Sequence, residues 1–119
     1  MEARLRIAAL LCMGLALASP ALAQSEELSL TVDRVWEENP SYASHRLGHV
    51  LVSVTNNTRR SYEWVMVDCT FTLDGRPVDS TRVSIMNLQR GQTGTDSSTV
   101  GPIALFDGAT CRIGPVSQR

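Results

Sequence analysis

The sequence predicts an all-β domain, an antiparallel β-sandwich of about six to seven strands, behind a helical signal peptide. Three observations predict it. Apolar and polar residues alternate at period two through much of the chain beyond Glu27. Turn signals such as Asp74-Gly75 separate these runs. No segment longer than about 10 residues shows helical periodicity outside the leader.

The leader occupies residues 1–23. Arg4 and Arg6 give a basic start, Ile7 to Leu17 is an almost unbroken apolar run, and Ala21-Leu22-Ala23 has the small-x-small pattern that signal peptidase reads. The expected cut after Ala23 leaves Gln24 as the mature N-terminus, and residues 24–119 form one domain. A retained membrane anchor is the alternative. It is disfavoured because the run falls short of the roughly 20 apolar residues a spanning helix needs. Leu11 before Cys12 does not fit lipoprotein processing, which wants a small residue there. The pattern implies a periplasmic or secreted bacterial product, free of the membrane after cleavage.

Gln24 to Glu27 is polar and expected to fray. Leu28, Leu30 and Val32 alternate with Ser29, Thr31 and Asp33, and Val35 and Trp36 extend that strand. Glu37 to Leu47 contains Asn39-Pro40-Ser41 and reads as an exposed loop. Val50, Val52 and Val54 face one way on the second strand. The polar run Asn56 to Arg60, whose Asn pair tolerates positive φ, reads as a hairpin turn. Val65, Val67, Cys69, Phe71 and Leu73 then share one face of a long strand. Asp74-Gly75 supplies the φ > 0 geometry of a tight hairpin, and Val78 to Leu88 returns. After Arg90-Gly91-Gln92, the Ser/Thr-rich segment Thr93 to Val100 reads as an exposed edge strand. Ile103 to Phe106 and Ala109 to Ile113 are expected to form a last hairpin around Asp107-Gly108. Pro115 is expected to end the domain, with Val116 to Arg119 as a tail.

Without the leader, 96 residues carry 11 acids against nine arginines and no lysine. This weakly acidic balance, with no basic block, argues against nucleic acid as a partner, since phosphate-backbone binding needs clustered positive charge. It argues equally against a polybasic membrane surface. Cys69 and Cys111 remain, an even pair in a small exported domain, and are expected to close a disulfide. Because Cys69 lies on the inward face, the expected partner strand is a facing one. A redox pair or half of a metal site is the alternative, but there is no Cys-x-x-Cys and no nearby His.

From Val50 to Gly91 the chain resembles the bacterial FxLYD-domain family of immunoglobulin-like modules. The resemblance is carried by Val54-Thr55-Asn56-Asn57, Tyr62, Phe71-Thr72-Leu73-Asp74-Gly75 and Leu88-Gln89-Arg90-Gly91. It departs from the family pattern at the signature, where the Tyr between Leu and Asp is missing and the turn is shorter. The resemblance implies an immunoglobulin-like sandwich and no reaction; fold likeness alone supplies no mechanism.

No cofactor or catalytic residue is expected. The sequence has no Gly-x-Ser-x-Gly elbow, His-Glu-x-x-His or phosphate loop. Asp96-Ser97-Ser98 lacks a base positioned to activate a serine. The only histidines, His45 and His49, are four apart, with Asp33, Glu37 and Glu38 as conceivable oxygen ligands. They are weak metal candidates, and a small-ligand or metal carrier built on their loop is the alternative function. Asn56-Asn57-Thr58 matches the glycosylation acceptor pattern and reads as an ordinary turn. Tyr62, Trp64 and Met66 alternate with the core face, so they are expected to point outward as an interaction patch. The expected function is therefore a non-catalytic interaction module for an envelope protein of unknown identity. It would use that patch or the Thr93–Val100 edge.

Overall fold

The computed structural model describes residues 27–40 and 45–119; the signal peptide expected over residues 1–23 lies outside them. Six strands build two three-stranded antiparallel sheets: β1 Leu28–Glu38, β2 Leu47–Asn56, β3 Tyr62–Leu73, β4 Arg76–Leu88, β5 Thr93–Val100 and β6 Gly108–Gln118. One sheet has the order β1-β2-β5 and the other β4-β3-β6. The valine-rich alternation of β2 and β3 makes them the central strands. Val50, Val52, Val54, Val65 and Val67 have no exposed surface, and Phe71, Val83, Ile85 and Leu88 fill the space between the layers.

The Leu73–Arg76 hairpin forms as its sequence dictates. Asp74 (φ 52°) and Gly75 (φ 79°) both take the left-handed geometry that a two-residue connection between twisted strands requires. The expected hairpin at Asn56 to Arg60 is corrected: β2 and β3 lie in different sheets, so this segment crosses between layers. Asn56 holds the crossing together and has no exposed surface. Its Nδ2 donates to the carbonyls of Arg60 (2.7 Å) and Leu88 (3.3 Å). Its Oδ1 accepts from the amide (2.9 Å) and hydroxyl (2.6 Å) of Thr58. Its backbone amide donates to Gln92 O and its carbonyl accepts from Gly91 N. A buried amide with both ends satisfied locks a bend that alternation alone leaves undetermined. The acceptor pattern at Asn56 is thereby used up in packing.

Three other expectations are corrected. Strand β1 runs on through Glu38, and Pro40 is buried, so less of Glu37 to Leu47 is exposed loop than its composition suggests. Ile103 to Phe106 forms no strand. Ile103 is instead buried, with its amide on Arg46 O (3.0 Å), and Phe106 meets Phe71 edge-on at 4.9 Å, together closing one end of the core. Pro115 does not end the domain. Val116, Ser117 and Gln118 still pair with Val65, Trp64 and Tyr62, and the ladder absorbs the proline at an irregularity of an edge strand.

The disulfide joins Cys69 to Cys111 as expected, but its placement is lateral. The two residues sit directly opposite each other on neighbouring strands β3 and β6 of one sheet, with Cα atoms 4.1 Å apart. This is the close approach of a non-hydrogen-bonded antiparallel pair. The bridge to a facing strand is therefore corrected to a bridge along the layer.

Candidate functional site

The expected Tyr62–Trp64–Met66 patch divides. Trp64 and Met66 lie half-buried on the outer face of β4-β3-β6, but Tyr62 turns inward and is 6% exposed. The cause is a paired irregularity. Tyr62 still faces Leu88 and Trp64 still faces Met86, while Glu63 and Asn87 between them drop out of the ladder. Asn87 adopts φ 53°, and β6 loses a residue of register at Glu63. Both strands therefore change parity together, and Tyr62 and Leu88 enter the core as a pair. Strict period-two reading could not foresee this. The one available signal was Asn87, a residue type that tolerates left-handed backbone.

Met86 alternates with buried Ile85 and is 57% exposed on the same outer face. It lies opposite Trp64 on the neighbouring strand, and Met66 accepts a hydrogen bond from Ser84 Oγ (3.1 Å) one row further on. The next outward row is Arg82, Asp68 and Arg112, paired across the three strands. Arg82 Nε donates to Asp68 Oδ1 at 2.7 Å. That bond, helped by the charges of Arg82 and Arg112 and opposed by desolvation, holds the Asp68 carboxyl below its usual range and pushes Arg82 up. A shallow depression of about 520 Å³ runs from this row to Thr70 and Ser80.

The opposite outer face, on β1-β2-β5, has its polar groups paired among themselves. His49 stacks on Trp36 with centroids 4.8 Å apart and planes 7° from parallel, and Arg34 lies 4.3 Å over the Trp36 ring. His49 Nε2 bonds Glu38 Oε1 (2.7 Å) and Nδ1 bonds Thr99 Oγ1 (2.9 Å). Further along, Asp33, Ser53 and Thr95 link their side chains, as do Thr55 and Thr93. Both His49 nitrogens are thus engaged, and to ligate a metal the ring must give up a partner. His45 is exposed beside residues outside the described set, and no group of three or more candidate metal ligands occurs among the described residues. Glu37 pairs with Arg46 (2.5 Å) and Asn39 instead, which lowers its carboxyl pKa.

All four sheet edges carry a feature that discourages another strand from adding. A bulge interrupts β1 between Val32 and Arg34. Edge strand β4 has Pro77, and Asp79 Oδ1 accepts from the Ser80 amide (2.8 Å). In β5, the expected open edge, Asp96 Oδ1 takes the Ser97 amide in the same way (2.8 Å). Strand β6 has two register shifts against β3 and Pro115. The Asp-Ser pairs at 79–80 and 96–97 are thus edge caps. Their third residues, Thr81 and Ser98, bond across the layers at 2.6 Å.

No family model, no curated protein and no solved structure matches the chain. Asn56 and the Leu88–Gly91 segment meet in space, where Asn56 binds the carbonyl of Leu88 and the amide of Gly91.

Proposed function

We propose that the chain is an exported, immunoglobulin-like sandwich module related to FxLYD domains, working by protein contact rather than by catalysis. The observation that carries the reading is the outward patch of Trp64, Met66 and Met86, where a large apolar side chain stays more than half exposed. Solvent-facing methionine beside tryptophan is a composition that contact surfaces favour. The disulfide hints at an oxidising compartment, in keeping with export to the periplasm. With every sheet edge capped or interrupted, a face is the surface on which a partner can settle.

The test is site-specific photocrosslinking in living cells, with the probe at Met86 and, as control, at Thr31 on the exposed side of β1. A discrete envelope-protein adduct at position 86 and none at position 31 is the expected result. Equal labelling at both positions, or no adduct at 86, ends the proposal.

A further inference from the structure

The two outer faces differ in a way that specifies a partner. On β1-β2-β5 the rings and carboxylates satisfy one another. On β4-β3-β6 the apolar patch abuts an ion row with two guanidiniums and one carboxylate, so the row carries a surplus positive charge. Arg82 is committed to Asp68. The Arg112 guanidinium has no hydrogen-bond partner among the described residues, and Gly114, beside it on β6, offers no side chain to cover it. A Cβ there would come within 2.5 Å of Asp68 Oδ2, so the missing side chain is what lets the Asp68 carboxylate lie over β6 in this row.

Resting on the interaction reading above, we infer that this face takes an extended, acidic-apolar segment of a partner protein. Its apolar side chain covers Met86 and Met66, and its carboxylate pairs with Arg112. Successive outward rows of a strand lie about 7 Å apart. From the Trp64–Met86 row to the Asp68 row is thus about 13 Å, and from the Met66 row about 7 Å. The partner's apolar and acidic residues should therefore stand two to four positions apart. Guanidinium suits a carboxylate because its planar fork donates two parallel hydrogen bonds, and the apolar neighbours lower the local dielectric around that pair. A basic segment meets repulsion from Arg112, so the same row excludes as well as selects.

The experiment selects a random dodecapeptide library displayed on phage against the purified exported protein. Enriched peptides are then made synthetically and measured by fluorescence anisotropy. The expected result is enrichment of Leu, Met, Phe or Trp with Asp or Glu two to four residues away. Arg112→Glu and Met86→Glu should each weaken binding by about 10-fold or more. A peptide with Lys in place of its acid should regain affinity for Arg112→Glu. Should Arg112→Glu fail to fold by circular dichroism, Arg112→Gln carries the same comparison without the rescue. Enriched peptides lacking acids, affinities indifferent to both substitutions, or no enrichment overturns the inference. If crosslinking at position 86 still traps a protein in that case, the contact reading stands and only the partner's chemistry is wrong. If it traps none, both fall.

Discussion

Removing the Asn56 side chain should loosen the junction between the layers. The amide makes four hydrogen bonds, two from Nδ2 and two to Oδ1, at a site with no exposed surface. Each neutral bond contributes about 1 kcal/mol net, and a buried partner left unmet costs about 1–3 kcal/mol. In Asn56→Ala, the single proton of the Thr58 hydroxyl can turn from Asn56 to Arg60 O, 3.2 Å away, so the four bonds do not all count in full. We expect a loss of about 3 kcal/mol, a large part of the roughly 5–10 kcal/mol normal for a domain of this size. Urea unfolding followed by tryptophan fluorescence reads it directly, with Trp36 and Trp64 reporting one sheet each. Asn56→Asp adds a sharper check. Burial raises the pKa of the new carboxyl, so the folded state binds its proton more tightly than the unfolded chain does. The part of its penalty that comes from ionisation is absent below the unfolded value near 4 and grows as pH rises above it. Asn56→Asp should therefore recover toward the parent as pH falls from 7 to 4. A loss under about 1 kcal/mol for Asn56→Ala, or an Asn56→Asp penalty that ignores pH, refutes the assignment of the junction to this side chain.

Replacing both Cys69 and Cys111 by alanine should cost about 4 kcal/mol, the chain-entropy value for closing a loop of sequence separation 42; equal denaturation midpoints for oxidised parent and variant would contradict it. Gly94→Ala should destabilise by about 1–3 kcal/mol, because its Cβ would sit 2.5 Å from Ile85 Cγ2 in the core; an unchanged melting temperature would show that β5 can retreat freely. Asp68 has a depressed folded pKa because Arg82 donates to it. Its contribution is present above the unfolded value near 4 and disappears as pH falls through the lower folded one. Stability of the parent should thus fall more steeply with acid below pH about 4 than that of Asp68→Asn; parallel acid limbs would remove Asp68 from the account.

The alternating strands were legible wherever side chains obey one parity. Val50 to Val54 and Val65 to Phe71 fall on the inner faces that their spacing assigns, and Asp74-Gly75 turns where its φ preferences require. What stayed hidden is whatever changes parity or layer. The bulge near Asp33 moves the inward positions of β1 from Leu28, Leu30 and Val32 to Val35. The joint irregularity at Glu63 and Asn87 turns Tyr62 and Leu88, outward by strict alternation, into the core. Asn56 illustrates the limit well. Its residue type marks a bend, but a hairpin and a crossover use the same polar residues. Only the distant Leu88 carbonyl and Gly91 amide distinguish them. At the candidate site, Trp64 and Met66 were legible as outward positions. The Arg82–Asp68–Arg112 row was not, because its members come from three strands whose register no local pattern fixes.

The matched irregularities in β3 and β4 constrain how this protein can change length. Deleting Asn87 alone would shift Leu88 by one position against Tyr62 and swing one of the two into water. Deleting Glu63 alone would do the same from the other strand. Losing both together restores the pairing and leaves plain alternation, with Tyr62 next to outward Trp64 and Leu88 next to outward Met86, so both stay in the core. Insertions and deletions here can therefore persist only as coupled events, so descendants of this chain should gain or lose these two residues as a pair.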